Sequence, residues 1–224
     1  MSNPQYHHEK PVLYSYFRSS CAWRVRTVLN WKGIDYEIKP VNLVKEEQKA
    51  PEYSKLNPLK EVPTLIIDGL VLTQSLAIIE YLEETRPEKP VLPKEPGKRA
   101  LVRSLVLAIA SDTQPVTNLR ILNYLGDDRK EEWTKYWMSY IFEGIEKQLK
   151  EVADDYCVGN EVTLADICLV PQVFNANRFK VDLTPFPIIQ RISDKLLELE
   201  AFKKAHPFRQ IDCPSELKSK NNIT

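Results

Sequence analysis

The sequence predicts an α/β domain followed by an all-α domain, and three observations carry that prediction. Over the first 86 residues, short apolar runs alternate with one-sided helical patterns. Four prolines then fall within ten positions, at Pro87, Pro90, Pro93 and Pro96, and beyond them the periodic stretches are long and helical. Proline lacks the amide donor and fixes its own φ, so neither helix nor strand runs through that cluster. The expected division is a flexible tail over 1–10, an α/β domain over 11–86, a linker over 87–97, a helical domain over 98–217 and a tail over 218–224.

Residues 12–16, VLYSY, form a short apolar and aromatic run that suits a buried strand. Val25, Val28 and Leu29 follow at helical spacing, and Gly33 stands where that helix should stop, because glycine enters the left-handed conformation without a Cβ penalty. Ile34, Tyr36 and Ile38 alternate with polar residues, the two-residue period of a strand buried on one face. A polar stretch with room for a short helix around 46–52 leads into VPTLIIDGLVL. Its two apolar runs flank Asp68-Gly69, a strong hairpin signal. From Ser75 a stripe of Leu76, Ile79 and Leu82 predicts a helix that ends before Pro87. The order is β-α-β, then β-β-α, which makes four strands.

After the linker, helical periodicity spans 98–125, 128–153, 163–178 and 187–204, with no strand pattern among them. Thr163, followed three residues later by Asp166 and then by Ile167, Leu169 and Val170, reads as a capping box. That feature is structural, and Thr163→Ala should cost about 1 kcal/mol of stability.

Composition narrows the function. Lys plus Arg and Asp plus Glu both number 31, and no long block of one sign offers a footprint for nucleic acid or anionic lipid. The four cysteines, Cys21, Cys157, Cys168 and Cys213, are widely separated, without the spacing of a disulfide framework or a zinc site, so no metal is expected. No run approaches the roughly 18 apolar residues of a membrane span, and the first ten residues lack the apolar stretch of a secretory signal. A cytoplasmic protein without membrane or nucleic-acid partners is the expectation. Tyr6-His7-His8, with no third ligand nearby, reads as tail.

The chemistry concentrates between the first strand and the first helix, in Phe17-Arg18-Ser19-Ser20-Cys21-Ala22-Trp23-Arg24-Val25-Arg26. A helix start leaves unpaired amides and the positive end of a dipole facing the loop, which favours an anion. A hydroxyl donating to a sulfur there, aided by the dipole, lowers a thiol pKa from its usual value of about 8.5. Ser19 is equally suited to be an N-cap. Arg24 and Arg26 fall where cations oppose the dipole, so they either face solvent or answer a nearby negative charge. Val62-Pro63 opens the third strand, where proline requires a special geometry such as a cis bond, and Val62 could then pair its backbone with an extended peptide. Thr73-Gln74-Ser75 opens another helix with an amide, hydroxyls and free amides, which suit an amino-acid carboxylate as well as a serine cap.

Taken together, the strand-helix-strand, the Val-Pro strand, the hairpin, the Gln-Ser helix start, the proline linker and the helical domain resemble the glutathione transferases. SSCAWRVR at 19–26, LNP at 56–58, QSLAIIEYLEETRP from Gln74, CVGNEVTLADICLVPQV from Cys157 and RFKVDLTPFP from Arg178 are similar to the zeta class of that family, the class of the maleylacetoacetate isomerases. The resemblance covers about 11–217. It implies a thioredoxin-like N-terminal domain with a mixed four-stranded sheet, an all-helical substrate-binding domain, and glutathione as cofactor. In that family's pattern Ser19 hydrogen-bonds the glutathione sulfur, with Ser20 and Cys21 lining the same place and Arg24 beside them. Val62 and Pro63 correspond to the segment that pairs with the cysteinyl backbone, Gln74 and Ser75 to the γ-glutamyl contacts, and Gln48 to a glycyl-end contact. Gln114, Asn118, Leu119 and Arg120 match a segment that closes over glutathione, and Arg178 matches the cation for the substrate carboxylate.

The reaction that the resemblance implies is isomerisation of maleylacetoacetate to fumarylacetoacetate in tyrosine and phenylalanine catabolism, by a homodimer. Transfer of glutathione to α-haloacids would use the same thiolate. Two rivals stay open: Cys21 as a nucleophile forming mixed disulfides, which would give thioltransferase activity, and a non-catalytic binding module on the same fold.

Overall fold

A computed structural model describes residues 6–220 of the chain, apart from the side chain of Lys220. Residues 1–5 and 221–224, the outer parts of the two expected tails, lie outside the described residues. The chain forms two compact units, one from residues up to Lys89 together with those from Glu200 onward, the other from Pro90 to Leu199.

The first unit is built on a four-stranded mixed sheet in the order β2-β1-β3-β4, from β1 (Val12–Ser15), β2 (Glu37–Pro40), β3 (Thr64–Ile67) and β4 (Leu70–Thr73). β1 runs parallel to β2 and antiparallel to β3, and β3 pairs antiparallel with β4 from Thr64↔Thr73 to Ile67↔Leu70. Asp68 and Gly69 both have positive φ, 54° and 73°, the pair of values a two-residue type I′ hairpin requires. α1 (Ser20–Lys32) ends at Gly33 with φ 71°, whose amide returns to the last turn. Ile34 is not yet in a strand, contrary to the alternation read from the sequence, because its amide still bonds the Leu29 carbonyl at 2.9 Å. The short helix expected near residue 46 is a 3₁₀ turn over Glu47–Lys49 followed by α2 (Pro51–Leu56). α3 (Ser75–Thr85) completes the α/β part.

The segment from Glu200 packs in this same unit, although the expected helical domain ran to residue 217. α9 (Glu200–Ala205) lies against α1, where Asn30 Nδ2 donates to the Ala201 carbonyl at 3.2 Å. α10 (Ser215–Lys220) extends helix into what was read as a tail beginning at residue 218.

The second unit contains α4 (Pro96–Leu107), α5 (Leu119–Leu125), α6 (Asp127–Val152), α7 (Leu164–Arg178) and α8 (Pro187–Leu197). α4 starts inside the expected linker because Glu95 caps it, accepting from the amides of Gly97 and Lys98 at 2.7 and 2.6 Å. The expected helix over 98–125 is broken. A π-helical turn occupies Ala108–Thr113, Pro115 has no amide to continue the ladder, and Asn118 caps a new helix through its Oδ1, which accepts the Arg120 amide at 3.1 Å. The stretch over 187–204 likewise divides, since the amides of Glu198 and Leu199 turn back three residues to Lys195 and Leu196.

α7 is the core helix, buried from Leu164 through Val173, and it packs against α4 and α8. Its capping box is present: Thr163 donates through both its amide and its hydroxyl to Asp166 Oδ2, each at 2.8 Å, while Asp166 Oδ1 accepts the Cys157 amide at 2.8 Å. Buried Glu146 of α6 satisfies the start of α8, accepting from the amides of Ile188 and Ile189 at 2.9 and 3.0 Å. No helix among the described residues is long and apolar enough to cross a membrane.

Candidate active site

Tyr16–Ser19 turn the chain from β1 into α1. Ser19 is the N-cap, with φ −70°, ψ 115° and its Oγ accepting the Ala22 amide at 3.2 Å. The two readings of this serine are compatible. Capping uses a lone pair of the hydroxyl, so its hydrogen remains available to donate to a sulfur. Ser20 is buried at the first helical position, and Cys21 is half-buried beside it. The first turn of α1 carries no acidic residue, so nothing on the helix itself offsets the positive end of its dipole. Arg18, next to Ser19, lays its guanidinium over the Phe17 ring at 5.1 Å.

Arg24 and Arg26 are both buried, at 1% and 0% exposure, which overturns the solvent-facing alternative. Arg26 answers the backbone rather than an anion. Its Nε donates to the Ala205 carbonyl at 3.1 Å, Nη1 to Ser15 Oγ at 3.0 Å and the Tyr16 carbonyl at 3.3 Å, and Nη2 to the Phe17 carbonyl at 3.1 Å. Burial pushes its pKa down to about 10, against the opposing influence of Tyr36 and Asp212. Arg24 is different. Its Nη1 lies 3.4 Å from Ser75 Oγ and 3.8 Å from Cys21 Sγ, while Nε and Nη2 are buried without a hydrogen-bond partner among the described residues. A buried guanidinium with open donors and no carboxylate beside it is suited to receive an anionic ligand.

The Val62-Pro63 bond is cis, as the sequence suggested. The segment before it is held by side chains: Tyr53 Oη and Asn57 Nδ2 both donate to the Glu61 carbonyl, at 2.6 and 2.8 Å, and both reach Thr64 Oγ1, at 2.9 and 3.0 Å. This gives the Leu56-Asn57-Pro58 motif a physical role. Val62's own amide and carbonyl bond to no other described residue, so both are available to an extended peptide. Val62 shares a buried cluster with Tyr16, Phe17, Val41, Tyr53 and Cys213, which joins this segment to the β1–α1 corner. Gln48 is half-buried in the 3₁₀ turn, and its Oε1 is buried without a partner.

Gln74 sits at φ 68°, ψ 117°, a backbone conformation that side chains disfavour, and it caps α3 without a side-chain bond. Strain of this kind costs about 1–3 kcal/mol and clusters where a ligand is gripped. Ser75 is the first residue of α3 rather than its cap, and its buried hydroxyl meets Arg24. The serine-cap reading of this position is therefore replaced.

The remaining candidates belong to the second unit. Gln114 follows the π-helical turn, its amide bonding Ile109 five residues back at 2.9 Å, and such turns recur at functional sites. Asn118 is the N-cap of α5, with Leu119 and Arg120 exposed in its first turn. Arg178 ends α7 with its guanidinium exposed, 5.0 Å over the Phe179 ring and with Nη1 3.3 Å from Asn175 Oδ1.

Residues 10–84 match the family described as "Glutathione S-transferase, N-terminal domain", and residues 138–200 match "Glutathione S-transferase, C-terminal domain". The chain is 54% identical to the maleylacetoacetate isomerase of Mus musculus over 212 residues, covering 94% of this chain and 98% of that protein. Among solved structures it superposes with TM-score 0.88 on a holo bacterial maleyl pyruvate isomerase of the zeta class, at 40% identity over 91% of this chain and 100% of the other. It matches the maleylacetoacetate isomerase of Anaeromyxobacter dehalogenans 2CP-1 with glutathione bound in the active site at TM-score 0.84, with 40% identity over 92% and 98% of the two chains.

Proposed function

The chain belongs to the glutathione S-transferase family, and from that premise we propose that it is a zeta-class enzyme that isomerises maleylacetoacetate to fumarylacetoacetate with glutathione as cofactor. The observation that carries this reading is the group of donors at the start of α1: the Ser19 hydroxyl hydrogen, and the buried Arg24 guanidinium between Cys21 and Ser75 with two donors open. These residues fit a thiol peptide with a free amino-acid end, because the donors suit a thiolate and a carboxylate and the unpaired Val62 main chain suits the peptide between them.

Glutathione held there would supply a thiolate, the nucleophile that a reversible cis-trans isomerisation of the double bond requires. The chain's own part is electrostatic and geometric. Ser19 donates its hydroxyl hydrogen to the sulfur and, with the amides of the first turn of α1, favours the ionised thiol near neutral pH. Ser20 and Cys21 line that spot. Val62 and Pro63 align the peptide, Gln74, Ser75 and Arg24 hold its γ-glutamyl end, and Gln48 its glycyl end. By the family's pattern Gln114, Asn118, Leu119 and Arg120 are further glutathione contacts, and Arg178 is the cation for a substrate carboxylate, which its planar fork of donors suits. The same thiolate would displace halide from α-haloacids. A cytoplasmic homodimer acting in tyrosine and phenylalanine catabolism is the setting we infer from the family.

The test is cis-trans isomerisation of maleylacetone followed spectroscopically with catalytic glutathione, on the wild-type protein, Ser19→Ala and Cys21→Ala. Turnover by wild type, with the greater loss in Ser19→Ala, supports the reading. Loss confined to Cys21→Ala would transfer the chemistry to the protein thiol, whose Sγ lies within reach of Arg24.

A further inference from the structure

We infer that Asp212, near the end of the chain, is a positioning residue for Ser19, and that the segment carrying it is part of the thiol site. The inference rests on the glutathione-dependent reading above. Asp212 Oδ2 accepts the amide of Phe17 at 2.8 Å, across 195 positions of sequence. Phe17 lies two residues before Ser19, in the turn whose course decides where the Ser19 hydroxyl sits.

That turn has little freedom left once its backbone bonds are counted. The Ser15 carbonyl accepts the Val41 amide at 2.8 Å, and the Ser19 amide donates to the Tyr16 carbonyl at 2.9 Å. Arg26 takes the carbonyls of Tyr16 and Phe17 from inside. The Phe17 amide is the donor that neither strand nor helix satisfies, and a carboxylate supplies its acceptor. Arg26 and Asp212 thus hold the two faces of the same peptide pair with opposite charges.

A second observation places the neighbourhood of Asp212 in the same structure. Cys213 belongs to the buried cluster with Tyr16, Phe17 and Val62, and Phe208 and Leu217 pack against it. Arg26 Nε also bonds the Ala205 carbonyl, at the start of the same C-terminal passage. Residues 205–217 therefore support both the corner that carries Ser19 and the segment that carries Val62. Gln210 fastens the passage to itself, donating to the carbonyls of Lys204 and His206, each at 2.9 Å.

Removing the acceptor releases the Phe17 amide and lets the turn relax. The Ser19 hydroxyl then loses its aim before glutathione loses its other contacts, and small misplacements of this kind cost about 10–100-fold in rate. The readout is the ultraviolet absorbance of bound glutathione thiolate as a function of pH, together with turnover and the affinity for S-methylglutathione, which has no ionisable thiol. In Asp212→Ala the thiolate midpoint should rise by roughly one pH unit, a tenfold loss of thiolate, and turnover should fall about tenfold or more, while S-methylglutathione affinity stays within about twofold. Asp212→Asn, which keeps an acceptor oxygen, should recover most of both. An unchanged midpoint in Asp212→Ala overturns the inference, as does equal loss of turnover and S-methylglutathione affinity. Should Asp212→Ala not fold, Asp212→Leu decides: it fills a similar volume and offers the Phe17 amide no acceptor, and a wild-type midpoint there is equally fatal. Absence of any thiolate band in the wild-type protein would instead sink the glutathione reading itself.

Discussion

The Arg24 guanidinium and the Ser75 hydroxyl, 51 positions apart in sequence, lie 3.4 Å apart and tie the start of α1 to the start of α3. The same guanidinium keeps Nε and Nη2 buried without a hydrogen-bond partner among the described residues, so its buried charge is only partly answered by the protein's own groups.

The first prediction follows from that imbalance. Arg24→Met, similar in length and apolar, should leave stability without ligand unchanged or slightly higher, since replacing a partly compensated buried charge by a packed apolar side chain is often neutral or favourable. Glutathione affinity should fall about tenfold or more, the loss of a charge-assisted hydrogen bond being about 1.5–3 kcal/mol. Denaturant midpoints and calorimetric titration measure the two effects separately. An affinity within twofold of wild type would remove Arg24 from the binding site.

Gln74 offers the converse test. Its φ of 68° suits glycine, so Gln74→Gly should relieve strain and raise stability by about 1 kcal/mol even after the entropy cost of glycine in the unfolded chain. Glutathione affinity should drop in the same variant because the amide side chain is gone. Gln74→Ala separates the two: it should lose the affinity without gaining the stability. If Gln74→Gly binds glutathione as well as wild type, the strain at this position serves something else.

Arg178 is exposed at the end of α7, and its proposed partner is the substrate rather than the cofactor. Arg178→Ala should raise KM for maleylacetone about tenfold while leaving glutathione affinity within twofold. Arg178→Lys should recover only part of the loss, because an ammonium cannot pair bidentately with a carboxylate. Equal weakening toward both molecules, read from steady-state kinetics with each varied in turn, would count against the assignment.

What could be read from the sequence was what local pattern encodes. The hairpin at Asp68-Gly69, the stop at Gly33, the capping box of Thr163 and Asp166, and the helix start at Ser19 all depend on residues within a few positions of one another, and each appears in the structure. The breaks at 108–118 and 198–199 were hidden because apolar spacing continues through them, while Pro115 and the three-residue turns to Lys195 and Leu196 interrupt the ladder. Arg26 could be singled out as chemically odd but not understood, since its partners are three backbone carbonyls and the Ser15 hydroxyl, which pattern does not mark. Asp212 left no signal at all. Its meaning comes from an amide 195 positions away, and nothing around it in sequence is periodic.

The fourth prediction concerns acid. His206 sits in the passage between Ala205 and Asp212, its ring edge-on to Trp23 at 5.3 Å and to Phe208 at 5.1 Å, and its Nδ1 accepts the Phe208 amide at 3.3 Å. Burial pushes its pKa down to about 4, with Arg209 and Arg26 acting in the same direction. In the unfolded chain the ring takes a proton near pH 6.5, whereas the folded protein resists protonation until about pH 4. Between those values the unfolded state binds more protons, so stability falls as pH falls, and the contribution is fully present only above about pH 6.5. A drop of that size corresponds to at most about 3 kcal/mol, and partial access to solvent reduces the expected effect to about 1.5 kcal/mol. Urea midpoints at pH 7.5, 6 and 4.5 should therefore decline more steeply for wild type than for His206→Asn, which keeps an acceptor for the Phe208 amide and cannot titrate. Parallel declines would mean that the acid sensitivity of the fold arises elsewhere and that this ring is not the group gaining the proton.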